Sequence, residues 1–281
     1  MNKICDLHTH SNFSDGTFTP SQIIDEAIAR GISAVALTDH NTVAGLTEFM
    51  SYAEGKNITA IPGIEFSTSY EEKELHIVGL FISKKYYDVI TDKVKRVNDL
   101  KEQSNIALIN ALNADGYELD YKKIKASTPE GQVNRAHIAA EMTNKGYVSS
   151  INEAFATLLS SKGKYYRPPQ RLTSFETISF IRSIGALPIL AHPFLNFDEQ
   201  RLRRFLSEAK PYGLAGMETM YSKYSEETTF LAHSIAKEYS LLESGGSDFH
   251  GENKKGIALG NGMGNLDIPI SVYETLKNNL K

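Results

Sequence analysis

The sequence predicts an α/β fold in which repeated strand and helix units close one parallel sheet into a barrel. Two observations support this expectation. Short apolar runs alternate with helix-like segments along most of the 281 residues, and histidine, aspartate and glutamate recur where the apolar runs end. In a barrel of this kind the functional site lies at the carboxyl ends of the strands, so those side chains would meet there.

The first part of the predicted barrel is residues 1–86. Its elements are, in order, a strand at Ile4 to Leu7, a helix at Pro20 to Arg30, a strand at Ile32 to Leu37, a helix at Val43 to Glu54, and strands at Ile58 to Ile64 and Leu75 to Phe81. Thr19 offers a capping hydroxyl directly before Pro20, and Asn41 or Thr42 is expected to cap the second helix.

Residues 87–167 carry long polar helical patterns and almost no strand-like runs of β-branched residues, so we predict a helical insertion that caps the substrate. The second part of the barrel, residues 168–281, resumes the alternation. Its elements are a helix at Phe175 to Ser183, a strand at Ala186 to Ala191, a helix at Gln200 to Lys210, a strand at Met217 to Glu218, a helix at Thr228 to Tyr239 and a strand at Leu241 to Ser244.

Composition and charge exclude several classes of protein. A net charge of −4 gives no basic excess for holding a long nucleic-acid duplex, although small anionic substrates remain possible. Cys5 is the single cysteine, which excludes an intramolecular disulfide and predicts a small core residue. Asp6 and His8 stand where a signal peptide needs its apolar run, and the apolar stretches fall short of the roughly 20 residues of a membrane span. We therefore expect a cytoplasmic protein that does not span a membrane.

Side chains of the types that commonly bind metal ions repeatedly follow the predicted strands. The nine candidates are His8, His10, Asp15, His40, Glu65, His76, His192, Asp248 and His250. Because side chains two apart on a strand point the same way, His8 and His10 can face one pocket, as can Asp248 and His250. Imidazole and carboxylate are ligands for zinc, manganese or iron, and nine of them exceed what one ion can use.

A site with two or three divalent ions predicts phosphoester hydrolysis. Clustered ions provide a bridging hydroxide at neutral pH and neutralise the oxygens of the phosphoryl group. Each residue also has an ordinary structural explanation: His76 as a hydrogen-bonded core histidine, Asp15 as a turn residue, Asp39 as a helix cap and Glu65 as a solvated loop acid. The joint pattern favours the metal site, since unrelated polar residues would not follow strand ends six times.

At the level of motifs, the sequence resembles the PHP family, named for polymerase and histidinol phosphatase. The matching motifs are Asp6-Leu7-His8-Thr9-His10-Ser11, Ser14-Asp15-Gly16, Leu37-Thr38-Asp39-His40, Pro62-Gly63-Ile64-Glu65, Leu75-His76, Ala191-His192-Pro193 and Gly246-Ser247-Asp248-Phe249-His250-Gly251. The resemblance implies a distorted (β/α)7 barrel, a trinuclear metal site with manganese favoured, and phosphoesterase activity.

The resemblance also implies a grouping of the ligands. By position, the first metal would be held by His8, His10, Glu65 and Asp248, the second by Asp15, His40 and His250, and the third by Glu65, His76 and His192. His137, in the insertion, competes with His192 for the last role, and we favour His192 because it ends a strand. His192 or His250 could also help to protonate the leaving oxygen. With Asp248 these are the candidate catalytic residues.

A stand-alone PHP chain with such an insertion resembles the group that includes 3′,5′-nucleotide bisphosphate phosphatase and exoribonuclease AM. There an Arg-x-His element is expected at the substrate phosphate, which Arg135 and His137 match. Arg135 suits a bidentate phosphate clamp, unless it is a solvated helix arginine. Arg167 and Arg171 are weaker candidates.

The expected substrate is therefore a small phosphorylated one, a nucleotide or the 5′ end of a short RNA. The alternatives are a histidinol-phosphate phosphatase and a non-catalytic sensor of metal or nucleotide. His233, outside every motif, is expected to be structural.

Overall fold

In the computed structural model, which describes residues 3–71, 73–128, 131–160 and 162–280, helices surround a nearly closed, barrel-shaped sheet of seven strands. The strands are β1 (Ile4–Asp6), β2 (Ile32–Leu37), β3 (Thr59–Tyr70), β4 (Lys73–Leu80), a short β5 (Leu172–Thr173), β6 (Leu187–Leu190), β7 (Gly216–Tyr221) and β8 (Leu242–Gly246). The helices are α1 (Pro20–Ala29), α2 (Leu46–Ala53), α3 (Tyr87–Ala114), α4 (Tyr121–Ala126), α5 (Arg135–Asn144), α6 (Ile151–Thr157), α7 (Ser174–Ser183), α8 (Glu199–Ala209), α9 (Glu226–Glu238) and α10 (Ile270–Asn278).

The barrel follows the strand order β1-β2-β3-β4-β6-β7-β8, and β5 pairs with β3 outside this path. Backbone hydrogen bonds at and just past the ends of β1 and β8 join the first strand of the sheet to the last. The Leu7 amide donates to the Gly245 carbonyl at 3.1 Å, and the Asp248 amide donates to the His8 carbonyl at 2.9 Å. The predicted α/β barrel is confirmed.

One strand departs from the predicted parallel sheet. β4 runs antiparallel to both of its neighbours, β3 and β6. β3 continues to Tyr70, opposite Lys73, and Glu71 at the turn has a φ of +47°. A tight hairpin joins β3 to β4, so the first half of β4 lies at the same barrel mouth as the carboxyl ends of the parallel strands.

The two predicted helix caps had different outcomes. Thr19 and Gln22 form a reciprocal capping box at the start of α1, as the hydroxyl before a proline suggested. The prediction for α2 was wrong, because this helix begins at Leu46 and no side chain caps it. Asn41 instead has a left-handed backbone, with a φ of +49°, and its side-chain oxygen accepts from the Ser67 amide at 3.0 Å.

The helices α3 to α6 have a hydrophobic cluster of their own, which includes Leu108, Ile138 and Met142, separate from the clusters around the barrel sheet. On this ground we propose residues 87–167 as an insertion unit between the barrel sections 1–86 and 168–281. None of the helices in the described part of the chain is both long and apolar enough to cross a membrane.

Candidate metal centre

Histidine and carboxylate side chains converge at one mouth of the barrel. Most of them stand just past the ends of strands: His8 and His10 after β1, His40 after β2, and His192 after β6. His76 reaches the same mouth from within β4, which is possible because this strand is antiparallel. Its neighbour on β3, Glu65, is fully buried.

Glu65 lies at the centre of the cluster. Its two carboxylate oxygens face ring nitrogens of five histidines at 2.8 to 3.2 Å, namely His8, His10, His40, His76 and His192. His8 Nε2 and His10 Nε2 are 3.0 Å apart, as expected for side chains two positions apart that face one pocket.

Asp15 forms a second centre beside the first. Its Oδ1 lies 3.2 Å from His250 Nε2, 3.8 Å from His40 Nε2 and 3.9 Å from His10 Nδ1. Both ring nitrogens of His40 therefore face carboxylates, with Nδ1 3.0 Å from Glu65 Oε2. The two carboxylate centres share His10 and His40.

Asp248 completes the arrangement on the side of His8 and His10. Its Oδ1 lies 3.4 Å from His10 Nε2 and 3.7 Å from His8 Nε2. Its Oδ2 accepts from the Tyr221 hydroxyl at 2.8 Å and from Lys254 Nζ at 2.6 Å. One carboxylate oxygen thus faces the pocket while the other is held by hydrogen bonds.

The donor set fits divalent metal ions. Three groups have ligand atoms within 4.8 Å of one another: His10, Asp15, His40 and His250; His8, His10 and Glu65; and His40, Glu65 and His76. Three buried atoms in these groups, Asp15 Oδ1, Glu65 Oε2 and His40 Nδ1, form no hydrogen bond with the described residues. Buried polar atoms are nearly always paired, so atoms left over at a convergence of imidazoles and carboxylates suit cation ligands.

The groups differ from the sequence-based assignment in their membership, and neither His192 nor Asp248 belongs to any of them. His10 and His40 each belong to two of them, whereas the resemblance placed each with one metal. His192 and His137 both lie outside the three groups, but His192 Nε2 lies 3.0 Å from Glu65 Oε1, whereas His137 Nδ1 accepts from the Asn134 amide at 3.0 Å. This geometry favours His192 over His137.

Within the polypeptide, the buried carboxylates and the neighbouring imidazoles shift one another's pKa values. Burial and the neighbouring His250 and His40 lower the pKa of His10 to about 4, which leaves its ring neutral. Burial opposes charge on His8, yet the Glu218 and Glu65 carboxylates raise its pKa well above the usual value.

The pKa values of the two central carboxylates, Glu65 and Asp15, are both lowered. Burial disfavours their charge, but the surrounding histidines hold the pKa of Glu65 and that of Asp15 well below the usual range. Both acids are therefore ionised, which is the form that binds cations.

Two buried acids that are not among the nine candidate ligands hold those ligands in place. Glu218 in β7 accepts from His8 Nδ1 at 2.6 Å and from the His192 amide at 2.7 Å. Asp39, suggested above as a helix cap, instead accepts from the Ser11 and Ser14 hydroxyls, each at 2.6 Å. It thereby fixes the loop between His10 and Asp15. The sequence feature that could have identified Glu218 is an acidic residue within an otherwise largely apolar strand.

Two candidate ligands have a left-handed backbone. The φ angle is +28° at His192 and +56° at Asp248, a region that residues other than glycine rarely occupy. Both stand at the point where a strand ends and the chain turns across the barrel mouth. The turn therefore aims the side chain into the pocket.

A cavity of about 160 Å³, here called the inner cavity, opens onto the donor groups between the barrel and the insertion. Asp15, His40 and His76 line one side, and Lys101, Arg135, Arg171 and Glu74 line the other. Arg135 Nη1 donates to the Leu159 carbonyl at 3.1 Å, and its guanidinium lies 4.1 Å from the centre of the Tyr166 ring.

Glu74 connects the arginines to the histidine cluster. Its Oε2 lies 2.8 Å from Arg171 Nη2 and 3.5 Å from Arg135 Nη2, and its Oε1 lies 3.5 Å from His76 Nε2. The exposed Arg167 does not line this cavity, because its guanidinium donates to the carbonyls of Gly163 and Tyr166. Arg171, the weaker candidate in sequence, is the arginine that joins Arg135.

The two remaining residues singled out in sequence lie apart from this pocket. Cys5 is fully buried in β1 and packs in the barrel core. His233 lies on α9, where its Nδ1 is 2.8 Å from Glu243 Oε1.

Known proteins resemble the chain over nearly its whole length. A model of the PHP domain matches residues 6–166. A 5′-3′ exoribonuclease of Haemophilus influenzae is 32% identical and covers 98% of this chain and 99% of its own. A 3′,5′-nucleoside bisphosphate phosphatase of Chromobacterium violaceum is 28% identical, over 91% of this chain and 90% of its own. A solved structure of an amidohydrolase of Chromobacterium violaceum, with bound sulfate and no metal, has a TM-score of 0.87 at 26% identity, covering 98% of this chain and 96% of its own.

Proposed function

Because the chain belongs to the PHP domain family and is a hydrolase of phosphoester bonds, we propose that it acts on a 5′-phosphorylated nucleotide that carries a 3′-phosphoryl group. The nucleotide is either a free 3′,5′-bisphosphate or the 5′ end of a short RNA. The observation that carries the proposal is the inner cavity, where three cationic side chains adjoin the candidate metal ligands.

Charge in the inner cavity matches a phosphate group. Arg135, Arg171 and Lys101 contribute three positive charges and Glu74 one negative charge. A phosphate monoester carries between about −1.5 and −2 at neutral pH, which the net +2 of these side chains balances. The planar guanidinium groups of the arginines also suit two-pronged hydrogen bonding to phosphate oxygens. The cavity is thus suited to the 5′-phosphate while the 3′-phosphoryl group lies over the metal donors.

We propose as metal ligands the nine residues of the cluster, namely His8, His10, Asp15, His40, Glu65, His76, His192, Asp248 and His250. Divalent ions held there, with manganese expected and zinc or iron as alternatives, would supply a water nucleophile at neutral pH and neutralise the phosphoryl oxygens. We propose His192, His250 and Asp248 as the residues that lie nearest the reacting phosphoryl group.

The chain prepares these residues through hydrogen bonds. His250 Nδ1 donates to the Asp248 carbonyl oxygen at 2.8 Å, so its Nε2 keeps the lone pair that a cation needs. The bonds from Tyr221 and Lys254 to Asp248 Oδ2 leave Oδ1 directed toward the histidines.

The test of the proposed function is a comparison of substrates and of two arginine variants. Purified protein with Mn²⁺ is expected to release phosphate from adenosine 3′,5′-bisphosphate faster than from histidinol phosphate. Arg135→Ala removes a charged hydrogen-bonding partner worth about 2 kcal/mol, so KM should rise roughly 30-fold with the bound metal unchanged. Steady-state kinetics and elemental analysis measure the two quantities.

Arg203→Ala is the matched control, because Arg203 pairs with Glu199 and Glu238 on the outer surface of α8. It should leave KM and metal content unchanged. Loss of metal from Arg135→Ala in proportion to its loss of activity would assign this arginine to the metal centre instead. Inertness toward every phosphate ester of the panel, with metal bound, would overturn the proposed function.

A further inference from the structure

A second cavity meets the inner cavity at the candidate metal centre. It measures about 680 Å³, against about 160 Å³ for the inner cavity, and we call it the outer groove. Asp15 and His40 line both spaces. Of these two spaces, Arg135 and Arg171 line only the inner cavity, whereas His250, Lys223 and Lys255 line only the outer groove. A phosphoryl group over Asp15 and His40 would therefore have space on both sides.

The outer groove combines cationic and apolar side chains. Lys223 and Lys255 are exposed along it, and Lys254 reaches from its wall to Asp248. Glu252 is the acid of this outer wall. Met263 also lines the groove, and 63% of its surface is exposed, so its flexible thioether side chain is accessible to a ligand.

A turn in the backbone presents Met263 to the groove. The flanking Gly262 and Gly264 have φ angles of +61° and +92°, which fold the chain tightly on either side of it. Phe155 lines the groove where it meets the inner cavity. Positive charge for the backbone, together with apolar faces for the bases, is the composition of grooves that bind single-stranded nucleic acid.

The chemistry of the reaction explains why space beyond the scissile phosphate matters. Hydrolysis of a nucleotide 3′-phosphate forms a bond between a water oxygen and phosphorus and breaks the bond between phosphorus and O3′, which takes up a proton. If the phosphoryl group also carries the O5′ of another nucleotide, the same bond breaks. The second product is then the remaining chain with a 5′-phosphate. The two substrates differ only in what lies on the far side of the phosphorus.

We propose that the outer groove binds the RNA chain that follows the scissile phosphate, with Lys223 and Lys255 contacting its backbone and Met263 contacting its bases. This inference rests on the proposed function. It makes these three residues determinants of preference for oligoribonucleotides over nucleotide bisphosphates.

The test compares the double variant Lys223→Glu/Lys255→Glu with the unmodified protein on two substrates. These are adenosine 3′,5′-bisphosphate and a 5′-phosphorylated hexaribonucleotide, each with Mn²⁺. The ratio of kcat/KM for the hexamer to kcat/KM for the bisphosphate should fall about 10-fold. The slope of log kcat/KM against log salt concentration, measured on the hexamer, should become shallower by about 1.4, since each phosphate contact contributes roughly 0.7 on a single strand.

Lys237→Glu/Lys277→Glu is the matched control. It makes the same change of charge at two exposed lysines near the carboxyl ends of α9 and α10, which line neither the inner cavity nor the outer groove. It should leave the ratio and the slope unchanged. Met263→Ser tests the apolar contact separately and should also lower the ratio.

Three results would overturn the inference. One is an equal loss on both substrates in the lysine variant, and another is an equal change of ratio in the control variant. The third is hydrolysis of the bisphosphate with no hydrolysis of the hexamer, which would leave the proposed function standing. Failure on both substrates by the unmodified protein would instead remove the proposed function on which this inference rests.

Discussion

Glu218 is a residue whose importance lies in the side chains that it orients. Its carboxylate is almost completely buried and contacts His8 through one oxygen and the backbone amide of His192 through the other. A carboxylate on Nδ1 of His8 fixes the proton there and leaves Nε2 free to bind a cation. One acid thus sets the orientation of two candidate ligands from different strands.

Glu218→Gln should weaken metal binding about 10-fold to 100-fold, because the amide can no longer accept from both partners. Titration with Mn²⁺ against a chelating dye measures the affinity. Glu243→Gln is the matched control, since Glu243 also pairs with a histidine, His233, but on the outer surface. Equal affinities in Glu218→Gln and the unmodified protein would show that this acid has no orienting role.

Sequence reasoning found the cluster of nine candidate ligands but not Glu218, and the reason is physical. The nine either follow strands or stand within recognised motifs, so the rule that functional side chains collect at one barrel mouth brings them together. Glu218 lies inside a strand and its partners are 26 and 210 residues away. Only the folded chain brings it to His8.

At the scale of elements, the largest difference from expectation is the direction of β4. The polar residues Ser67, Thr68 and Ser69 that end β3 do not look like a buried strand, so the sequence suggested a connection where β3 in fact continues. Pairing with β4 satisfies the backbone of this polar segment, and a tight turn connects the two strands. The hairpin carries Glu74 to the inner cavity.

The helix α3 joins the two parts of the molecule. Ile90 and Val94 in its first half pack against the barrel, whereas Leu108 and Leu112 in its second half pack in the core of the insertion. Between them lies Lys101, which faces the inner cavity. An uninterrupted helix therefore fixes the position of the insertion cations relative to the barrel donors.

The turn between α9 and β8 offers a test of local backbone energetics. Ser240 is exposed and has a φ of +53°, a conformation that favours glycine by roughly 1 kcal/mol. Ser240→Gly should therefore raise the free energy of unfolding by about 0.5 to 1 kcal/mol, as measured by urea denaturation.

Ser234→Gly, two turns earlier and exposed within α9, is the control with the opposite sign. Glycine inside a helix costs about 0.5 kcal/mol or more, so this variant should be less stable. A decrease in stability for both variants would contradict the explanation from backbone conformation.

At the scale of the whole molecule, the barrel holds many charged groups inside an otherwise apolar frame. Asp15, Glu65 and Asp248 converge at its mouth with six histidines, all inside or at the edge of the buried interior. Cations bound to this cluster would link strands from both ends of the chain. Bound metal should therefore stabilise the entire barrel.

Removal of metal should lower the melting temperature. A ligand at about 100 times its Kd stabilises the folded state by roughly 2.7 kcal/mol, so chelation with EDTA should reduce Tm by about 5 °C or more, and Mn²⁺ should restore it. Differential scanning calorimetry measures the change. His10→Ala should abolish the response and His233→Ala should retain it, whereas a response that survives in His10→Ala would mean that the ions bind elsewhere.

At the scale of the whole molecule, the feature that could not be predicted from the sequence is the inner cavity. The barrel and its donors follow from periodicity and from side chains at strand ends. The cavity instead depends on Glu74 from β4, Lys101 from α3, Arg135 from α5 and Arg171 just before β5, whose association follows from how the insertion packs on the barrel. That packing has no periodic signature in the chain.

The left-handed backbone at His192 and Asp248 constrains how this enzyme can be improved. Engineers who seek thermostability commonly replace strained residues with glycine, and Ser240 is open to that change. At His192 and Asp248 the same replacement would relieve strain of about 1 kcal/mol each and delete a candidate metal ligand in the same step. Directed evolution for stability alone should therefore accumulate substitutions away from these two turns, and selection for turnover should keep them.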